Sequence, residues 1–229
     1  MKRNVRAAPR WRPESAAGAD ARPLPRSFYA RPVLVVARAL LGRTLVHDTS
    51  AGRLAGIVVE VEAYRGADDP ASHAYRGKTD RNAVMFGAAG HAYVHFTYGM
   101  HHCLNVVTGR EGAASAVLIR ALEPLEGMER MRWQRRVEVV ERLACGPGCV
   151  AQALGLDRRH NGVDLTTGPL WVSDGPARRR GLTTKAGPRI GIRVAREFGW
   201  RFLLAGHPCV SGSPRAGRDR RPGKGPVRR

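Results

Sequence analysis

Apolar residues recur along this chain with helical spacing in some stretches and with alternation in others. Over residues 31–41 (RPVLVVARALL), Val33, Val36, Ala37 and Leu40 fall on one helical stripe, and Gly42 ends the helix. Thr44–His47 and Leu54–Tyr64 alternate as strands across an Asp48-Thr49-Ser50-Ala51-Gly52 turn, which predicts a hairpin. Residues 65–90 show no period, and a connection of that length in a compact domain is functional or disordered. Ala92–Tyr98 turns at Gly99 and returns through Cys103–Val107, and a further strand over Ala116–Ala121 ends at Leu122-Glu123-Pro124. Residues 126–143 and Cys149–Leu154 read as helices, the latter started by Gly146-Pro147-Gly148; late strands are expected at Leu170–Val172, Gly191–Val194 and Arg201–Leu204. The sum is an α+β fold: a single compact domain with a largely antiparallel sheet, flanking helices and a protruding β-hairpin.

Within that outline the strand IVVEVEAY carries the most information. Alternation puts Ile57, Val59, Val61 and Ala63 on one face and Val58, Glu60, Glu62 and Tyr64 on the other. The second face is either an ordinary solvated surface or a pair of carboxylates and a phenol set out for chemistry. It feeds the long loop, where Asp69-Pro70 reads as a cap and first residue of a helical turn that returns His73 to the strand end. Arg76, Lys78, Arg81 and Asn82 follow in a run suited to phosphate contact, or to a mobile basic loop. On the next hairpin His91, Tyr93, His95 and Thr97 share a face, so Tyr93 and His95 can offer rings for stacking. Its tip, Tyr98-Gly99-Met100-His101, presents apolar side chains that either wedge between base steps or pack on protein.

Composition then narrows the partner. The chain has 229 residues with 39 Lys plus Arg against 19 Asp plus Glu, a net charge of +20. Residues 1–31 and 211–229 each contribute +6, and the middle keeps +8. Pro-, Gly- and Arg-rich ends read as disordered arms, giving an N-terminal arm 1–26, a domain 27–211 and a C-terminal arm 212–229. A basic middle favours a polyanion, most simply nucleic acid. No apolar run reaches the roughly 18 residues of a membrane span, and the basic start lacks an apolar centre, so a cytoplasmic protein is expected. Four cysteines point to thiols in a reducing compartment. No metal is expected: His91 and His95 lie about 13 Å apart on a strand, and Cys145-x-x-x-Cys149 lacks a second pair.

Several long stretches together are informative. VEVEAYRGADDPASHAYRGKTDRNAVMF, AYVHFTYGMHHCLNVV, AVLIRALEPLEGMERMR, GPGCVAQALGL, GPRIGI and HPCVSG, with SFYARPVLVVARALLGRTLVH before them, resemble the methylpurine (3-methyladenine, alkyladenine) DNA glycosylases in the expected order. The resemblance implies excision of alkylated or deaminated purines (3-methyladenine, 7-methylguanine, hypoxanthine, ethenoadenine) from duplex DNA by base flipping. It implies no cofactor, an abasic product without strand cleavage, and a monomeric, nucleoid-associated bacterial enzyme. By matching positions it implies Glu62 as general base, with Arg120 and the Val210 backbone helping to hold the water. Tyr64, His73 and Asn105 line the base pocket, and Tyr98, with Met100 beside it, fills the gap in the duplex. His95 stands where a second stacking tyrosine is common; its protonation would repel cationic bases and make activity pH-sensitive. Cys149 stands where a lysine often contacts phosphate. The residues alone also admit a non-catalytic DNA-binding module on the same basic surface, or a metal-dependent nuclease using Glu60, Glu62 and Asp69.

Overall fold

The computed structural model describes residues 21–97, 99–175, 181 and 183–212. Two short helices, α1 (Arg26–Tyr29) and α2 (Val33–Leu40), precede the sheet. α2 buries Val33, Val36, Ala37 and Leu40, the stripe its spacing predicts. Strands β1 (Thr44–Thr49), β2 (Gly52–Tyr64), β3 (Ala92–Thr97), β4 (His101–Thr108), β5 (Ser115–Glu126) and β6 (Leu170–Val172) form an antiparallel sheet in the order β3-β4-β5-β2-β1-β6. β8 (Arg201–Leu204) adds to β2, and β7 (Thr184–Gly187) pairs with β8. Helices α3 (Met128–Arg135) and α4 (Pro147–Ala153) follow β5, and Met131, Val150, Ala151 and Ala153 join the main core with Leu40, Ile57, Leu104 and Ile119. The fold is α+β, as the pattern predicts.

β2 is the strand that organises the site. It runs 13 residues, and its first half pairs with β1 while residues 60–62 pair with β8; β5 lies along its other side. Both faces of the strand are buried from Leu54 to Ala63. Glu60 and Glu62 are therefore fully buried, and the solvated-face alternative falls. Register carries one row of side chains across the sheet: Tyr93 opposite Asn105, Asn105 opposite Leu118, Leu118 opposite Glu62, and Glu62 opposite Arg201. With side chains alternating along each strand, His95, Arg120, Glu60 and Tyr64 stand on the same face, one pleat from that row.

Several boundaries differ from expectation, each for a visible reason. β5 does not stop at Pro124 but continues to Glu126, because the register shifts between Ala55 and Gly56 where the proline, lacking an N–H, pairs. The helix expected over 126–143 is only Met128–Arg135; Arg136 adopts a left-handed conformation and ends it, and a separate 3₁₀ turn follows at Val140–Arg142. Residues 191–194 are not a strand. Pairing with β8 falls instead on Thr184–Gly187, which frees Ile190 to turn towards β2.

The domain also starts earlier than residue 27. Pro23 bridges to Ser173, Leu24 is buried, and Arg26 donates to Asp164 at 2.5 Å, so residues 21–26 belong to the folded unit rather than to an arm. Residues 1–20 and 213–229, which hold the rest of the expected arms, lie outside the described residues. Among the described residues no helix is long and apolar enough to cross a membrane.

Candidate active site

The row of side chains on β3, β4, β5 and β2 forms the floor of a cavity of about 310 Å³. Tyr64, His73, Tyr93, His95, Asn105 and Arg120 all line it. Four of these were expected as base-pocket residues (Tyr64, His73, His95, Asn105), and Arg120 was expected beside the catalytic water; the structure brings all five together. Glu62 itself is not on the surface of the cavity. It sits just behind the wall, fully buried, and Tyr64, Arg120 and Ile190, which all line the cavity, are its partners. Glu62 Oε2 accepts the Tyr64 hydroxyl at 2.9 Å, Oε1 accepts the Ile190 N–H at 2.7 Å, and Arg120 Nη1 lies 3.2 Å from Oε1. A carboxylate offers about four lone-pair sites, so the Tyr64 hydroxyl leaves Oε2 with room for one further donor.

The second carboxylate is held more tightly. Glu60 Oε1 accepts from Arg120 Nε at 3.0 Å, Arg201 Nε at 2.6 Å and the Ser211 hydroxyl at 2.9 Å, and Oε2 accepts the Ser211 N–H at 2.7 Å. Val210, next to Ser211, is buried, and its N–H is given to His207 O at 3.3 Å. Only its carbonyl remains for the role expected of that backbone. Asp69, the third acid of the nuclease alternative, is engaged elsewhere: Arg189 grips it through Nη1 at 2.5 Å and Nη2 at 2.8 Å, with both side chains fully buried. Among the described residues no three His, Cys, Asp or Glu side chains gather as a metal site.

The rings of the cavity hold one another in place. His95 stacks on Tyr93 with centroids 5.0 Å apart and 26° between planes, and His73 meets His95 edge-on at 4.5 Å. Arg81 bonds the Phe96 carbonyl at 2.9 Å and reaches the Tyr93 phenol, whose pKa burial pushes up to about 12. Tyr93 Oη lies 3.1 Å from His73 Nδ1. Burial and the Arg81 guanidinium lower the His73 pKa, although part of the ring is open to solvent. Burial, then the neighbouring His73, Arg81 and His102, push His95 down to about 3. His95 is therefore held neutral at ordinary pH, so the repulsion of cationic bases that its protonation would cause belongs to acid conditions. Behind Tyr64, Arg189 stacks on the ring at 4.6 Å, and burial and the Glu62 carboxylate raise the phenol's pKa.

The expected phosphate contacts divide. Arg76 and Lys78 are exposed, but Arg81 is committed to the cavity rim. Asn82 is buried at 2% exposure: its amide donates to His73 O and Gly77 O, and its carbonyl accepts the Thr79 N–H, so its side chain ties the loop together and offers nothing to a phosphate. Asp69 does accept the Ala71 N–H at 3.1 Å, a cap-like contact, but no helix follows; the segment closes as a turn. β3 and β4 form the expected hairpin, with Phe96 and Met100 exposed near its end. Tyr98 lies outside the described residues. Gly148 of α4 packs so closely on His101 that a Cβ there would sit 3.0 Å from the imidazole, so α4 braces the hairpin. Reading the sequence missed Arg189, Ile190 and Arg201. Arg189 and Ile190 stand in the conspicuous GPRIGI stretch, a signal for a site without a hint of which partner they seek.

Comparison with known proteins bears on this arrangement. A profile of the methylpurine-DNA glycosylase family matches residues 27–208. A Burkholderia lata protein provisionally named 3-methyladenine DNA glycosylase is 49% identical over 209 residues, covering 90% of this chain and 95% of its own length. Proteins of the same provisional name from Methanocella arvoryzae (50% over 193 residues, 82% of this chain and 95% of theirs) and Bacillus cereus (45% over 200 residues, 82% and 98%) are similar over the same domain.

Proposed function

Because the chain belongs to the methylpurine-DNA glycosylase family, we propose that it excises 3-methyladenine and related damaged purines from duplex DNA by hydrolysis, leaving an abasic site. The observation that carries this reading is the placement of buried Glu62 directly behind a cavity walled by Tyr64, His73, His95, Asn105 and Arg120. Water enters between Tyr64 and Arg120. Glu62 takes its proton through Oε2 while the oxygen bonds C1′ and the base departs with the bonding pair. Arg120 and the Val210 carbonyl orient that water.

A base within a stack is out of reach, so the target nucleotide is flipped into the cavity, at a cost of a few kcal/mol that a damaged pair lowers. Tyr98 and Met100 fill the gap, and Arg76 and Lys78 hold phosphates. A purine already cationic, such as 3-methyladenine or 7-methylguanine, neutralises itself on leaving and needs only the base and the water. The Tyr64 and Tyr93 rings and the neutral His95 accept it, with cation–π attraction of about 0.5–2 kcal/mol per aromatic contact. Hypoxanthine and ethenoadenine are neutral while attached, so they leave as anions unless protonated, and go more slowly. Among the described residues no lysine lines the cavity, in keeping with hydrolysis without a Schiff base or strand cleavage. The enzyme acts as a monomer on the nucleoid in the cytoplasm, consistent with its charge of +20.

The test is release of free base from alkylated duplex DNA in EDTA, compared with Glu62→Gln. Release by the native chain and a loss of about 10²–10⁴-fold in the variant is the expected result, with DNA binding retained. Binding without release would favour the non-catalytic module, and undiminished release by Glu62→Gln would remove Glu62 from the mechanism.

A further inference from the structure

Glu60 has no part in the chemistry above, yet it is the most heavily bonded carboxylate of the site. It is fully buried and accepts four hydrogen bonds, two of them from the guanidinium groups of Arg120 and Arg201. Arg120 is in turn shared: its Nε faces Glu60 and its Nη1 faces Glu62. The cluster holds two carboxylates and two guanidinium groups and is formally neutral. Buried charges must balance because water cannot screen them. Positive charge, moreover, builds on the deoxyribose as the glycosidic bond opens.

We propose that Glu60 is a positioning residue for base excision: it occupies the Nε edge of Arg120 and the charge of Arg201, so that Glu62 stays a base facing the cavity and is not drawn into closing that ion cluster. This rests on the glycosylase reading. Without the Glu60 charge the cluster is left with a surplus cation. Arg120 and Arg201 then turn on Glu62, competing with the water for its oxygens and opposing the charge that forms on the sugar. Glu60 makes no contact with the cavity, so its effect falls on the chemical step and not on DNA affinity.

The experiment is single-turnover release of 3-methyladenine from methylated duplex with enzyme in excess, alongside binding of a duplex containing a tetrahydrofuran abasic analogue. Glu60→Gln keeps the shape and removes the charge; its excision rate is expected to fall about 10²-fold, the scale on which preorganised charge acts in active sites, with binding unchanged. The double variant Glu60→Gln/Arg201→Met restores neutrality and is expected to recover about tenfold, a coupling that independent packing defects do not give. Should Glu60→Gln fail to fold, Glu60→Asp reads the same balance: it keeps the charge and is expected to excise within about tenfold of the native rate. Native-like excision by Glu60→Gln, or a double variant no faster than the single, overturns the proposal while leaving the glycosylase reading intact. A native chain that releases no base overturns both.

Discussion

The amide of Asn105 donates to Nδ1 of His95 across 3.2 Å, and that contact decides which nitrogen of the histidine carries its proton. The same Nδ2 also donates to the Tyr93 carbonyl at 3.1 Å, which fixes the orientation of the amide, since a carbonyl can only accept. Nδ1 of His95 is therefore the acceptor, and the hydrogen sits on Nε2 at the cavity.

A neutral buried histidine has a consequence for stability. His95 titrates near 6.5 when unfolded and about 3 when folded, because burial disfavours its charge. The unfolded chain thus binds the proton more readily. Stability from this site is whole above about 6.5 and is lost as pH falls through the window towards 3. Thermal unfolding between pH 7 and 4 should show a steeper loss for the native chain than for His95→Phe. Parallel curves would mean that His95 charges freely in the folded state.

Asp69 and Arg189 form a two-pronged ion pair with no solvent exposure, and Arg189 lies against both Tyr64 and Trp200. Removing one partner strands a buried charge, at a cost of about 3–5 kcal/mol. Urea unfolding of Asp69→Asn should show a loss of that size. A loss below about 1 kcal/mol, on the scale of an exposed pair, would place the pair in contact with water.

Cys149 accepts from Arg135 Nη2 at 3.0 Å. The neighbouring Cys145, then Arg135 and Arg142, favour its thiolate and lower its pKa, whereas burial lifts Cys103 to about 11. Iodoacetamide at pH 7 should label Cys149 well before Cys103, and Arg135→Gln should slow the labelling. Equal rates at the two thiols, read by peptide mass, would contradict this electrostatic environment.

With the domain beginning by residue 21, the tails to remove are 1–20 and 213–229, which carry +3 and +6. The truncated chain should bind DNA with a flatter salt dependence, by about 0.9 in the log–log slope for each phosphate the tails no longer neutralise. Its single-turnover excision rate should be unchanged. A large fall in that rate would make the tails part of the catalytic unit.

Local periodicity made much of this protein legible. The stripe of α2, the β1–β2 and β3–β4 hairpins and the shared face of Glu60, Glu62 and Tyr64 all depend on neighbours in sequence. What escaped depends on partners far away. Alternation shows that two acids share a face, but the partners that meet them there, Ile190, Arg201 and Ser211, come from the far end of the domain. Arg189 and Arg201 acquire meaning from Asp69 and Glu60, which no spacing relates to them. Asn82 escapes for the same reason: a polar residue in a basic loop looks outward unless the carbonyls it binds are known.

The Asn82 tie has one more implication. It fastens the loop carrying His73 through bonds internal to residues 73–82, before any DNA is present. The ordering cost of that wall is met during folding, so little remains to be met when a nucleotide enters. A preformed receptor of this kind keeps its shape after the base is released, so free hypoxanthine should compete for it, whereas a cationic purine loses on leaving the charge that drew it onto the rings and should depart readily.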